Sequence, residues 1–318
     1  MTLTSQRTGR PLDAGPTRGR RRKPPAGGRS GGVGDSFFSG FSHIFLFVWG
    51  LLVVLPLLWV ALSGFKDDAQ IISKPLSLFP NSLHWDNFAR AWGKGHIGAF
   101  FLNTLIIVGG GVLLTMLLGS MAAYVLARYD FPGNRFIYYM FLAGLTLPIF
   151  MAAVPLYKVV YKTGQSIPLL GPNSYVMLIF VYTAWSLSFT VFFMHSFFKT
   201  LPTSIAEAAM VDGASHSGVF FRVMLPMAKP GLISIGIFNV LGQWNQWYLP
   251  VLLMNPPAGQ SKHEVIAQGL IELSVNQGYK SDWSGLFAGL TMAMLPVLIV
   301  YIVFQRQVQA GLTAGTLK

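Results

Sequence analysis

The chain has 318 residues, 53% of them hydrophobic and only 11% charged, with a mean hydropathy of +0.52. Soluble domains carry about 25% charged residues, so this composition excludes an ordinary soluble domain and points to an integral membrane protein. Cysteine is absent, which excludes a disulfide framework and a thiolate metal site, and much of the net charge of +12 lies in the N-terminal tail, so membrane topology explains it better than nucleic acid.

Residues 1–35 alternate Arg and Lys with Gly, Pro, Ser and Thr. Such a segment buries too little apolar area to offset its ordering entropy, and we expect a disordered basic tail. The apolar run that follows is too long for a signal peptide and reads as an uncleaved first span. From there to 318 the pattern predicts an all-α polytopic membrane domain. Its six transmembrane helices fall near 41–63, 99–126, 136–158, 174–197, 232–254 and 284–304. Gly109-Gly110-Gly111 inside the second span suits close helix contact, and Pro56, Pro148, Pro155 and Pro296 predict kinks. With the N-terminus inside, fifteen Lys and Arg fall in inside segments and eight in outside loops. The positive-inside rule favours that orientation, and the tail decides it. Both termini are then cytoplasmic.

Between the fourth and fifth spans lies a mixed stretch, Glu207 to Pro230. Ser204 and Glu207 fit the S-x-x-E capping box of a helix start. Asp212-Gly213 should end that helix, because Gly takes the left-handed conformation at little cost. A second short helix should begin near Ser215 and stop before Pro226, which disfavours helical geometry at Leu225. The result is a helix–turn–helix protruding on the cytoplasmic side. In the fifth span Asn239, Gln243 and Gln246 share one helix face by their spacing. Amides in lipid are costly unless paired, so this face should look inward. Beside them Trp244, Trp247 and Tyr248 offer aromatic faces, and Trp247 and Tyr248 read equally well as part of an interfacial belt. Interhelical hydrogen bonding accounts for the same amides equally well. His195 reads as an interface residue rather than a proton carrier. The outside loop from about 256 to 282 is long for a connector. Its centre, Val265 to Val275, has apolar residues at roughly helical spacing, which fits a short helix on the surface.

Glu207-Ala208-Ala209, Asp212-Gly213 and then Leu225-Pro226 resemble the EAA loop of permease subunits of ABC importers, with Val223 where that family usually has Ile. Tyr124 to Gly133, Gln243 to Trp247 and the C-terminal Gln309 to Lys318 are similar to elements of the carbohydrate, maltose-type branch. The resemblance covers roughly residues 40 to 318. It implies that Glu207, Ala208, Ala209, Asp212, Gly213, Leu225 and Pro226 couple the chain to a separate ATPase, and that Asn239, Gln243, Gln246 and Trp244 line a substrate path. It further implies a bacterial plasma-membrane protein working with a second related permease, two ATPase copies and an extracytoplasmic sugar-binding protein reached by the 256–282 loop. The implied substrate is a di- or oligosaccharide, with amino sugars and chito-oligosaccharides open.

No cofactor, metal or catalytic group is expected. There is no G-x-x-x-x-G-K-[ST] phosphate loop, so ATP hydrolysis would fall to the partners. His263-Glu264 lacks the second His of a zinc motif, and Asp67-Asp68 has no catalytic partner in sequence. Two other functional classes fit the sequence less well. A secondary transporter would need acidic or Arg residues in its spans for ion coupling, and the spans have none. A membrane-embedded transferase would need a carboxylate cluster at a membrane face.

Overall fold

The computed structural model describes residues 33–255, 263–280 and 282–314. Residues 1–32 of the basic tail, 256–262 and 281 of the outer loop and the last four residues therefore lie outside the described residues, while residues 33–35, expected in the tail, already belong to the first helix. By its internal contacts the chain divides into two units, Met1–Val54 and Leu55–Lys318. The described part of the first is the leading portion of helix α1 (Val33–Ser63). From Ser39 onward its side chains are almost all exposed and mostly apolar, as a lipid-facing span requires, and Phe45 stacks on Trp49.

The second unit is helical throughout its described elements. Four helices are long and apolar enough to cross a membrane: Ser39–Ser63 of α1, α4 (Ile97–Arg128), α7 (Tyr175–Thr200) and the Trp283–Gln307 part of α14 (Trp283–Ala314). Two bent pairs bring the number to six if each is one span. The central pair is α4 against α7. Small residues allow their approach: a Cβ on Gly119 would lie 2.6 Å from Thr190, and one on Gly110 2.8 Å from Ile179. One apolar core, including Ile97, Ile107, Leu178, Tyr182 and Leu253, gathers around the start of α4, and a second, including Tyr124, Met194, Phe198, Phe220 and Met224, around its end.

The third and fifth expected spans are each broken. The first break separates α5 (Asn134–Thr146) from a short 3-10 turn and α6 (Ala153–Ser166), with a bend of 100°. Pro148 supplies no N–H, and Leu147 before it is extended, with ψ 119°, as the residue before proline prefers. The fifth helix, α11 (Lys229–Trp244), is 16 residues long, roughly 24 Å. It stops before α12 (Tyr248–Leu253) because Pro250 cannot continue the ladder through Gln246. Side chains fill the gap: Asn245 Nδ2 donates to the Leu241 carbonyl at 2.9 Å, and Gln246 Oε1 accepts from the Tyr248 N–H at 3.0 Å.

At the end where α4 begins, short helices α2 (Asp68–Ser73) and α3 (Asp86–Gly93) pack against α14. Arg90 holds Asp282 with two nitrogens, at 3.1 and 3.3 Å, and that hydrogen bond raises the guanidinium above its ordinary value. Lys66 is only 1% exposed; its Nζ donates to Ser63 Oγ at 3.1 Å and to the Ser77 carbonyl at 2.6 Å, and burial pushes its ammonium down. The helix expected in the outer loop is α13 (Ile266–Lys280). It does not simply lie on the surface: Val265, Ile266 and Gln268 are buried, and it packs on α4 and α14. Its lead-in is tied down by Asn173, which accepts from His263 N–H at 3.2 Å and donates its own N–H to the Leu253 carbonyl at 2.9 Å.

Candidate functional site

At the opposite end, α7 stops at Thr200 because Leu201 precedes Pro202 and is extended, with ψ 142°. Helix α8 (Thr203–Val211) starts directly after Pro202, so Ser204 falls inside the first turn and no side chain caps it. The expected Ser204–Glu207 box does not form, because the two-residue connection leaves no room for a longer lead-in. The end of α8 does follow the sequence. Gly213 sits at φ +86°, its N–H bonds the Met210 carbonyl at 3.0 Å, and the Ala214 N–H reaches the Ala209 carbonyl at 3.0 Å. That pair of bonds is a Schellman stop, which needs the left-handed residue at Gly213.

Ser215 then caps α9 (His216–Val219), its Oγ accepting from the Gly218 N–H at 3.2 Å. The helix does not stop before Pro226. It passes through a π-helical turn, Phe220–Met224, into α10 (Leu225–Met227), with Leu225 still helical at φ −66° and ψ −45°. Wider π spacing relieves the clash between the Pro226 ring and the carbonyl one α-turn back, which is why proline is tolerated here. The chain then bends by 77° into α11. Glu207, Ala208, Asp212, Gly213 and Pro226 are exposed, while Ala209 and Leu225 are half-buried. Val211 is 88% exposed at the tip, beside Met210. An acidic residue and uncovered apolar side chains around a stiff glycine turn make a surface suited to another protein.

The second group lies in the middle of the helices. Asn239 and Gln243 on α11 are each 4% exposed. Asn239 Nδ2 donates to Thr190 Oγ1 at 2.9 Å and to the Ile235 carbonyl at 3.1 Å. Gln243 Nε2 donates to Ser186 Oγ at 3.0 Å and to Thr115 Oγ1 at 3.4 Å. Its Oε1 has no hydrogen-bond partner and lies against Gly111, 2.5 Å from where a Cβ there would be. The Gln246 carbonyl accepts from the Tyr182 hydroxyl at 3.3 Å. Sequence reasoning did not single out these partners. Ser186 and Thr190, four apart on α7, were the available signal, since they form the polar stripe that answers the one on α11.

Asn239, Gln243 and Gln246 line one cavity of about 390 Å³ together with Tyr182, Trp185, Phe189 and Phe238. That is a size that admits a small ligand. Trp244 is not with them. Its Nε1 donates to the Ala293 carbonyl at 3.2 Å, and it lines a different cavity of about 570 Å³ with Asn245, Trp247, Leu270 and Met294. His195 is buried with its ring 4.2 Å from that of Tyr138, a packing role.

Residues 115–313 match the family model described as binding-protein-dependent transport system inner membrane component. The chain is 44% identical over 290 residues to a diacetylchitobiose uptake system permease protein of Streptomyces coelicolor, covering 91% of this chain and 92% of that one. It is 30% identical over 242 residues to a melibiose/raffinose/stachyose import permease of Bacillus subtilis, covering 76% and 83%. Among solved structures it is similar in fold to a chain of a bacterial ABC transporter that imports alginate. That match has a TM-score of 0.73 at 19% identity and covers 86% of this chain and 98% of the other.

Proposed function

This chain belongs to the family of binding-protein-dependent transport system inner membrane components, and from that membership we propose that it is a permease subunit of a sugar ABC importer. The observation that carries the sugar assignment is the 44% identity, spread over 91% of the chain, to a permease for diacetylchitobiose. The substrate is a di- or oligosaccharide, and an N-acetylated amino-sugar disaccharide is the first to test.

Glu207, Ala208, Ala209, Asp212, Gly213, Leu225 and Pro226 form the surface that docks an ATPase. The exposed apolar tip and the rigid glycine turn support this. Docking on that side makes both termini cytoplasmic, in line with the Lys and Arg distribution. A second permease, two ATPase copies and an extracytoplasmic binding protein complete the importer. The path runs beside Asn239, Gln243 and Gln246, where a cavity of about 390 Å³ combines aromatic faces with amides. Trp244 belongs to the path's outer flank rather than to the amide face.

Uptake of labelled diacetylchitobiose by cells lacking this gene, complemented with wild type or variants, tests the proposal. Wild type should restore uptake, and Asn239→Leu or Gln243→Leu should lower it at least several-fold while the ATPase still co-purifies. If the deletion strain takes up every saccharide tried at the parental rate, the importer assignment is wrong.

A further inference from the structure

Two consecutive residues at the end of α4 hold the two stems of the α8 segment. Arg128 Nη2 donates to the Leu201 carbonyl at 2.6 Å, two residues before α8 begins. The hydroxyl of Tyr129 is hydrogen-bonded to His216 Nδ1 at 2.9 Å, at the first residue of α9, with the two rings edge-on at 5.6 Å. Everything between those anchors is α8 and its glycine turn, the segment that carries Glu207, Asp212 and Gly213.

The holding residues are themselves fixed. The N–H of Tyr129, the C-cap of α4, bonds the Val125 carbonyl at 3.1 Å. Asn134 Nδ2 donates to the Leu126 carbonyl at 3.1 Å and to the Tyr129 carbonyl at 2.6 Å, closing the turn into α5. One turn back along α4, Tyr124 packs on Phe220 at 5.0 Å and on Phe198 at 5.4 Å. Further along the same helix, Gly111 and Thr115 touch Gln243. Helix α4 therefore runs from the stems of α8 to the amide cluster without a break.

Either anchor alone would be an ordinary helix-end contact. Placed side by side in sequence and on opposite stems of one exposed segment, they mean that α8 cannot shift without pulling on α4. We propose that Arg128 and Tyr129 are positioning residues that pass movement of α8 to α4, and through it to the amide cluster. This rests on the ATPase-docking reading of α8 and goes beyond it by naming the receiving helix.

The test uses the whole complex in proteoliposomes, with partner permease, ATPase and binding protein, and reads saccharide moved per ATP hydrolysed. Tyr129→Phe and His216→Ala should each lower that ratio about fivefold, the equivalent of about 1 kcal/mol for one net hydrogen bond. The double variant should be no worse than either single one, because both remove the same contact. His216→Asn, which keeps a polar atom near the Nδ1 position, should recover most of the ratio. An unchanged ratio, additive losses, or loss of ATPase co-purification in Tyr129→Phe would each overturn the proposal, the last because the contact lies within this chain and leaves the α8 surface uncovered. Gly213→Pro run in parallel separates the two ideas. If it transports normally, the docking reading fails; if it is dead while Tyr129→Phe is normal, only the α4 link fails.

Discussion

Substituting single glycines in α4 measures how the amide cluster is packed. An added Cβ at Gly109 meets nothing within 4 Å, whereas one at Gly111 lies 2.5 Å from Gln243 Oε1 and 3.4 Å from Tyr182 Cβ. Both changes gain up to about 1 kcal/mol of helix propensity, so that contribution cancels between them. In Gly111→Ala the Gln243 amide must swing away, and its bonds to Ser186 and Thr115 go with it. Helix–helix hydrogen bonds in membranes average about 0.6 kcal/mol each, and a buried polar group left unpaired costs about 1–3 kcal/mol. Gly111→Ala should therefore be less stable than Gly109→Ala by about 1–3 kcal/mol. Thermal unfolding in detergent, followed by loss of the monodisperse peak, should rank Gly109→Ala at or above wild type and Gly111→Ala below it. Adding Gln243→Ala to Gly111→Ala removes the clash, so its cost should be much smaller there than in wild type. Equal melting of the two glycine variants, or full additivity with Gln243→Ala, would refute the packing described.

Gly213→Ala places a side chain at φ +86°, a left-handed conformation worth about 1–2 kcal/mol of strain, and should lower stability by that margin, seen as a lower melting point, while Gly242→Ala, with open space around it, does not. Lys66 supplies a pH signature: its folded-state value lies below the ordinary 10.5, so between the two values the unfolded chain binds more protons and stability rises with pH. The melting point of wild type should climb as pH approaches 10.5, and Lys66→Met should remove that climb; a wild-type and variant pair with parallel profiles would discount burial of this ammonium.

The parts of the fold that a single segment dictates were legible in the sequence. Uninterrupted apolar runs mark α4, α7 and α14, Asp212-Gly213 marks the stop of α8, and Ser215 marks the cap of α9. The departures arise where distant parts of the chain decide. Ser204 is a suitable cap, but Pro202 starts the helix before it. Pro226 ordinarily ends a helix, yet the π turn accommodates it, and nothing in FFRVM announces that turn. The face containing Asn239 and Gln243 could be read from spacing, and the i, i+4 pair Ser186 and Thr190 was a signal for a second polar stripe, but that the two stripes meet, with Thr115 between them, is decided by how α4, α7 and α11 pack. Trp244 adjoins Gln243 in sequence and points to the other side of α11, because the helix turns about 100° per residue and its indole finds the Ala293 carbonyl.

On the proposed reading, what the amides would contribute to transport follows from their hydrogen atoms. Asn239 gives its amide to Thr190 and Ile235, and Gln243 gives its own to Ser186 and Thr115. In this arrangement the donors join α4, α7 and α11 to one another. A saccharide in the adjoining cavity can receive them only if the helices part and release the serine and threonine hydroxyls. Such an exchange replaces one hydroxyl acceptor by another, so its net hydrogen-bond cost is small, while helices held without polar groups would gain nothing from the sugar on opening. On the proposed reading, then, interhelical packing and substrate contact are not rival roles for this face. They are the same donors in two states of one pathway, and a ligand that binds only the open state shifts the population toward it by its own binding energy.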